Sequence, residues 1–112
     1  MKPEIIWSKD AGDELADIIS YIKYNTGRIT ADKIYRKIIR EIERVSENAG
    51  GRRISPLLRE FGIHDIHQLN IHPWIIYYRT PKNRMEIISI IDGRRNLEEI
   101  LYKKMMDGKI KR

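Results

Sequence analysis

The apolar positions in the first half of the chain repeat at helical spacing. Within residues 11–22, and again within residues 31–45, they recur in steps of three and four, with charged residues between them. This period places them on one stripe of an α-helix. Two amphipathic helices joined by a few residues most simply form an antiparallel pair whose stripes need a partner surface.

The residues at the ends of these segments predict where the elements start and stop. Glu4–Trp7 is short, β-branched and aromatic, which predicts a strand. The first helix is expected to begin at Ser8 or Asp10 and to end at Asn25-Thr26-Gly27. Thr30 is the expected cap of the second helix, and Gly50-Gly51 its expected end.

The pattern changes in the second half of the chain. Trp74–Arg79 and Met85–Asp92 are dense in β-forming residues and are separated by a short polar turn, which predicts a hairpin. Gly62–Asn70 is predicted as a strand from its position before Pro73, although its apolar residues recur at three. Asn96–Met106 has helical spacing and a capping asparagine, which predicts a short terminal helix.

These elements predict an α+β fold with two antiparallel helices packed on a twisted antiparallel sheet and a short C-terminal helix. Alternation along the hairpin gives large side chains to both sheet faces. One face takes Trp74, Ile76 and Tyr78, and the other takes Ile75, Tyr77 and Arg79. We expect the terminal helix to cover the second face only in part, leaving an apolar, basic-rimmed surface for a partner chain.

The length and composition of the chain exclude several classes of protein. The chain has 112 residues, which predicts a single domain over residues 1–112. It has no cysteine, so disulfides, thiol catalysis, iron–sulfur clusters and cysteine-type zinc sites are excluded. Neither an apolar stretch of about 18 residues nor a signal-peptide pattern is present, and a cytoplasmic protein is expected.

The positive charge is unevenly distributed along the sequence. Residues 1–51 carry nine Lys/Arg and nine Asp/Glu, whereas residues 52–112 carry thirteen and seven, so the whole net charge of +6 belongs to the second half. Such asymmetry indicates a surface for nucleic acid or an acidic protein. A solvated basic end at residues 109–112 would explain part of the same excess.

Arginines at the predicted strand ends and loops are the strongest candidates for binding. Arginine offers paired donors to phosphate or carboxylate groups, although each residue could instead pair with Asp65, Glu86, Asp92 or Glu98. Two tyrosines of the hairpin could add stacking surfaces, while aromatic residues at this density are more often part of a core. The candidate binding residues are Arg52, Arg59, Tyr77, Tyr78, Arg79, Arg94 and Arg95.

The three histidines, His64, His67 and His72, give weaker signals. On a strand, His64 and His67 would point to opposite faces, so no metal site is expected. His67 or His72 could act as a general acid or base near neutral pH, or could be an ordinary hydrogen-bonded or exposed histidine. No glycine-rich phosphate loop or nucleophile elbow is present, and no cofactor is expected.

In their order and in their residues, several motifs of this sequence resemble those of the RelE/ParE superfamily of small toxins from type II toxin–antitoxin systems. The resemblance covers nearly the whole chain, and the family's fold agrees with the elements predicted above. It is carried by Ile6-Trp7-Ser8, by Gly51-Arg52-Arg53-Ile54-Ser55-Pro56, by Leu58-Arg59-Glu60-Phe61-Gly62, by Tyr77-Tyr78-Arg79 and by Ile91-Asp92-Gly93-Arg94-Arg95-Asn96-Leu97.

The resemblance implies one of two activities. RelE-like members cut mRNA in the ribosome with basic and aromatic side chains, whereas ParE-like members inhibit DNA gyrase without known nuclease chemistry. The RelE pattern has an arginine where this chain has Ile75 and lysines near Ile66 and Gln68, and relatives commonly carry an arginine where this chain has His67. Only Arg95 matches a position that the family uses for catalysis.

These departures favour a ParE-like toxin, with DNA gyrase as the target and a cognate antitoxin as the partner. The toxin could be a homodimer or form a hetero-oligomer with the antitoxin. One alternative is a ribosome-dependent mRNA endonuclease in which Arg95 acts with His67 or His72. The other is a degenerate toxin that retains only antitoxin or DNA binding.

Overall fold

The computed structural model describes residues 2–48 and 52–112. A five-stranded sheet has the order β1-β5-β4-β3-β2. The elements in chain order are β1 (Glu4–Trp7), α1 (Lys9–Thr26), α2 (Arg28–Glu47), β2 (Arg53–Ile54), α3 (Pro56–Glu60), β3 (His67–Ile71), β4 (Trp74–Arg79), β5 (Arg84–Asp92) and α4 (Leu97–Met106).

The sheet is antiparallel except at one edge. Strands β2 to β5 pair antiparallel in sequence, and the predicted hairpin of β4 and β5 is confirmed. Strand β1 instead pairs in parallel with the start of β5. The predicted α+β fold is confirmed, with an antiparallel arrangement in four of the five strands. The pattern within a strand reports its exposed and buried faces but not the direction of its neighbour.

A β-bulge in β5 changes which isoleucines of this strand face each side of the sheet. Tyr77 lies opposite Ser89 while Tyr78 lies opposite Ile87, so Ile88 has no opposite residue. The extra residue shifts the alternation of side chains by one position. As a result Ile87 and Ile90 contribute to the same core although they are three residues apart.

The two long helices follow each other with a single residue between them. Ser8 caps α1 by accepting a hydrogen bond from the Ala11 amide at 3.0 Å. Gly27, at φ 97°, ends α1 and precedes α2 directly. The predicted cap at Thr30 is therefore wrong, because the reversal is completed at a glycine that adopts positive φ without strain. Gly50-Gly51, the predicted end of α2, lies outside the described residues.

Residues 52–66 contain two short elements that periodicity does not predict. The two-residue strand β2 joins the edge of the sheet, and α3 follows with Ser55 as its cap and Pro56 in its first turn. Strand β3 begins at His67 and not at Gly62 as predicted, because the preceding residues pack as a turn against α3. One turn of helix is too short to show a helical period.

Both faces of the sheet are buried by the chain itself. The first core lies between the sheet and the helices α1 and α2, and contains Ile38, Ile42, Ile76 and Ile87 among its members. The second core is formed on the opposite face from α3, the segment that follows it, α4 and residue 110. Its buried members are Leu58, Ile63, Ile66, Tyr77, Ile88, Ile91, Leu101 and Ile110.

The second core corrects the expectation of a largely uncovered apolar face. Residues from α3, the 61–66 segment and α4 fill that face, and Ile110 adds a side chain that is 3% exposed. The burial of this much apolar surface within one chain removes the need for a foreign chain to cover it. The accessible surface therefore consists of the rim of the sheet and the outer surfaces of the helices.

A partly buried ionic network joins the helices across the edge of β5. The Lys104 ammonium group, on α4, contacts the carboxylates of Asp10 and Glu14 on α1, the latter at 2.9 Å. Glu14 also accepts hydrogen bonds from the Ser89 hydroxyl at 2.8 Å and from the Ile90 amide at 3.1 Å. This amide lies where β1 no longer pairs with β5, so Glu14 satisfies a strand donor that lacks a strand partner.

The charges in this network stabilise one another despite their burial. Burial acts to lower the pKa of Lys104, but the hydrogen bonds that it donates to Asp10 and Glu14 outweigh this effect and the net change is upward. Burial acts to raise the pKa of Asp10, and Lys104 and Lys109 reverse it to a net decrease. The resulting stabilisation is present between about pH 4 and pH 10 and is lost outside this range, as Asp10 is protonated or Lys104 deprotonated.

Among the described residues, no helix is both long and apolar enough to cross a membrane.

We expect the substitution Lys104→Met to lower the free energy of unfolding by about 2 kcal/mol at pH 7. It keeps the aliphatic stem but leaves the partly buried Glu14 without its cation and Asp10 with only Lys109. Urea denaturation measures this change. Lys103→Met is the matched control, since its side chain is 76% exposed and pairs only with Asp107 on the surface. It should cost less than about 0.5 kcal/mol, and equal losses in the two variants would contradict the role of the network.

Candidate functional site

The candidate arginines lie at two ends of the sheet and not in one cluster. Arg79 is the last residue of β4, whereas Arg94 and Arg95 follow β5, whose last residue Asp92 pairs with the first residue of β4. The length of β4 separates the two ends by about 17 Å. We call the group of Asp65, His67 and Arg79 the Arg79 end, and the group of His72, Asp92, Arg94 and Arg95 the Arg94 end.

At the Arg79 end, the guanidinium group is held by the chain's own acceptors. Its Nε donates to Oδ2 of Asp65 at 3.0 Å, and its Nη2 donates to the backbone carbonyl of Lys111. The Arg79 side chain is only 17% exposed. Arg79 therefore links the loop before β3 and the segment after α4 to the end of β4 through hydrogen bonds.

His67 lies beside this arginine in a poorly solvated position. Its ring stacks on Tyr78 with 5.3 Å between centroids, and its Nδ1 is buried without a hydrogen-bond partner among residues 2–48 and 52–112. Burial, together with the positive charge of Arg52, lowers the pKa of His67. The imidazole is therefore mainly neutral at pH 7, which suits a hydrogen-bond acceptor and not a cation.

The tyrosines Tyr77 and Tyr78 are both 1% exposed, one in each core. These rings, expected to border a binding surface, are enclosed by the chain itself, because consecutive residues of β4 face opposite sides of the sheet and both sides are covered. Burial raises the pKa of Tyr77 to about 12 and also raises that of Tyr78. Neither phenol exchanges a proton near neutral pH, and their contribution is to packing.

At the Arg94 end, one of the two arginines is paired with a neighbouring carboxylate. Arg94 donates from Nε to Oδ1 of Asp92 at 3.0 Å and from Nη2 to Oδ2 at 2.7 Å. The Arg94 backbone amide donates to the same carboxylate at 2.9 Å. These bonds from Arg94 hold the pKa of Asp92 at about 2, so the pair stays ionised throughout the physiological range.

Arg95 is the available cation at this end. Its side chain is exposed and forms no ion pair with any described residue. The turn that carries it is anchored by Gly93, whose amide donates to the Pro73 carbonyl at 2.7 Å. A Cβ atom at Gly93 would approach that carbonyl and Ile75 to 3.2 Å, so the close contact favours glycine. This anchoring places Arg95 and the exposed His72 at the same end of the sheet.

The structure therefore separates the candidates for acid–base chemistry. Arg95 shares an end with His72 but lies a strand length from His67, so Arg95 and His67 do not form a catalytic pair. Arg52 lies just before β2 with its Nε buried and unpaired within the described part of the chain. Arg59 is exposed on α3, over the second core, and forms no ion pair with a described residue.

Two concave surfaces lie near these residues. One, of about 180 Å³, is lined by the Arg79 end together with Thr80 and Pro81. The other, of about 540 Å³, is formed by Phe61, Tyr102 and polar residues of the first turns of α4. No group of three or more histidine, aspartate or glutamate side chains suited to a metal ion occurs among the residues that the structure describes.

Sequence reasoning missed some residues that build this region. Ser55 and Pro56 carried a recognisable helix-start signal, a capping hydroxyl followed by proline in the first turn, and the Ser55 hydroxyl accepts from the Leu58 amide at 3.2 Å. Glu14 carried no such signal, since a glutamate on an amphipathic helix is typical of a solvated face.

Comparison with known proteins agrees with this fold. Residues 5–97 match the family model described as ParE toxin of type II toxin–antitoxin system, parDE. The structure is similar to that of a chromosomal ParDE toxin–antitoxin system from P. aeruginosa, with a TM-score of 0.67 at 18% sequence identity. The match covers 81% of this chain and 96% of the other. No curated protein matches this sequence.

We expect His67→Gln to weaken the acid sensitivity of the fold. The lowered pKa of His67 means that the unfolded chain binds this proton more readily, so stability falls as the pH decreases below 6.5. Unfolding measured at intervals from pH 7.5 to pH 5 should show a smaller decrease in the variant. His64→Gln, at an exposed position, is the control and should keep the wild-type slope. A slope unchanged in His67→Gln would contradict the burial argument.

Proposed function

The chain belongs to the ParE toxin family of type II toxin–antitoxin systems, and from this premise we propose that it inhibits growth in the cytoplasm by binding DNA gyrase. In this proposal a cognate antitoxin binds the toxin and prevents that contact. The toxin acts by occupying its target and not by cutting RNA.

The position of Ile75 is the observation that carries the choice of target. The nuclease branch of the superfamily has an arginine at this point of the middle strand, directly after the aromatic residue. Here Ile75 packs against the second core, and its Cδ1 atom would lie 3.2 Å from a Cβ atom added at Gly93. A phosphate-stabilising cation is thus replaced by an apolar side chain, and the loss of such a group typically costs on the order of 100-fold in rate.

The accessible arginines define the surface that we assign to binding. Arg95 and Arg59 have exposed side chains without ion-pair partners among the described residues, so both can meet carboxylates of a target or antitoxin. Arg94 contributes less free charge, since Asp92 neutralises it. Arg52 and Arg79 are more enclosed and act by shaping the edge of the sheet. Tyr77 and Tyr78 support this surface from within.

The shared location of Arg95 and His72 supports a second candidate function, ribosome-dependent mRNA cleavage. His72 is exposed at the turn between β3 and β4, within the same end of the sheet as Arg95. An imidazole beside a guanidinium group can supply a general base next to a phosphate-binding cation. This activity ranks below target binding because Ile75 replaces the arginine of the nuclease branch and because both hairpin tyrosines are buried.

We expect the purified protein to inhibit supercoiling by DNA gyrase at micromolar concentration and to leave translated mRNA intact in primer extension. Arg95→Glu should weaken inhibition about tenfold, because it reverses an unpaired charge on the binding surface. Lys82→Glu is a matched charge reversal at an exposed turn of the other sheet end and should retain inhibition.

Cleavage of message in the ribosomal A site, lost on substitution of His72, would contradict the gyrase proposal and favour the second candidate. Harmless overproduction without an antitoxin, together with unaffected gyrase, would instead indicate a degenerate toxin. Equal inhibition by Arg95→Glu and the wild type would remove Arg95 from the binding surface.

A further inference from the structure

The outer surface of α2 carries a continuous row of positive side chains. Lys33, Lys37, Arg40 and Arg44 follow each other at helical spacings of four, three and four residues, so they lie along one side of the helix. All four are exposed. With Arg36 beside them they form what we call the α2 stripe, which extends over about 16 Å of helix.

Most of the charge in the α2 stripe is not neutralised by the protein. Arg36 pairs with Asp32 at 3.0 Å and Arg44 pairs with Glu41 at 2.9 Å. Lys33, Lys37 and Arg40 form no ion pair or side-chain hydrogen bond with any described residue. Three adjacent cations therefore face solvent without a counterion from the chain.

The two helices of the outer layer have opposite charge. Helix α1 carries two cations and four carboxylates, whereas α2 carries six cations and four carboxylates. The neutral sum over residues 1–51 thus conceals a separation of charge between neighbouring helices. Such a separation directs an anionic ligand to α2 and away from α1.

We propose that the α2 stripe binds the phosphate backbone of duplex DNA without regard to base sequence. Phosphates follow each strand of the duplex at an axial spacing of about 3.4 Å, so a row of cations about 16 Å long can contact several of them. The α2 stripe consists of cationic side chains along one exposed side of a helix, and contacts from such side chains to phosphates position a protein on DNA without reading its sequence. The choice of DNA rests on the proposed function, because gyrase acts while holding a duplex.

The composition of the α2 stripe favours nucleic acid over a protein partner. The centre of a protein–protein interface is depleted in charged residues and enriched in aromatic ones. Here Lys33, Lys37 and Arg40 are charged, and the apolar side chains of α2 such as Ile38 and Ile42 face the first core. Protein–DNA interfaces are instead strongly positive and polar.

Fluorescence anisotropy with a labelled 20-base-pair duplex, in the absence of gyrase, tests the proposal. At physiological salt we expect a dissociation constant of about 1–100 µM, with tighter binding at lower salt and a steep loss of affinity as salt is added. The triple reversal Lys33→Glu, Lys37→Glu, Arg40→Glu should weaken binding more than about tenfold. It should also reduce the slope of log K against log salt by about 3, one unit for each lost phosphate contact.

A control with the same net charge separates the α2 stripe from general attraction. Lys82→Glu, Lys103→Glu and Arg112→Glu together also lower the net charge of +6 by six, at exposed positions away from α2. This control should bind within about threefold of the wild type. Equal losses in the two triple variants would overturn the assignment to α2.

Two further probes address the nature of the ligand. Binding of poly-glutamate as tightly as the duplex would overturn the assignment to nucleic acid, and a preference for single-stranded RNA would overturn the assignment to DNA. The triple glutamine variant of the same three residues keeps helix-forming side chains and serves if the charge reversal does not fold. Since this assay contains no gyrase, its failure is distinct from failure of the supercoiling test.

Discussion

The carboxylate of Glu14 is the contact on which the relative placement of the two layers depends. It projects from α1 past the point where β1 stops pairing with β5. There it accepts hydrogen bonds from a backbone amide and a serine hydroxyl and forms an ion pair with the ammonium group of α4. One side chain thus completes the hydrogen bonding of a strand edge and joins helices from opposite faces of the sheet. Because this position is partly buried, any of these polar groups left without a partner would lower the stability of the fold.

The closure of both sheet faces determines what kind of binding surface remains. Since α3, α4 and Ile110 fill the second core, the surfaces left accessible are the ends of the sheet and the outer surfaces of the helices. At the sheet ends most arginines hold the protein's own segments together, as Arg79 does, or pair with a neighbour, as Arg94 does. Among the candidate arginines, Arg95 and Arg59 keep exposed side chains without an ion pair to a described residue.

Elements with a clear period were predictable, and contacts between elements were not. The alternation of Trp74–Arg79 and the helical stripes of residues 11–22 and 31–45 identified the main strands and helices, because one face of each had to be buried. Strand β1 was located, but its parallel pairing depends on tertiary packing. The arginines were located too, yet sequence distance does not tell which of them meet, and the structure places Arg79 and Arg95 at opposite ends of the sheet.

The bulge at Ile88 limits how this fold can vary between related proteins. Side chains of β5 alternate between the first and the second core, and a single unmatched residue determines which of them enter each core. A deletion or insertion there would move side chains of β5 from each core to the other, whereas a substitution disturbs only one core. Related sequences can therefore exchange apolar residues of similar size in this strand, while gaps in an alignment belong in the turn at residues 80–83, where length carries no such penalty.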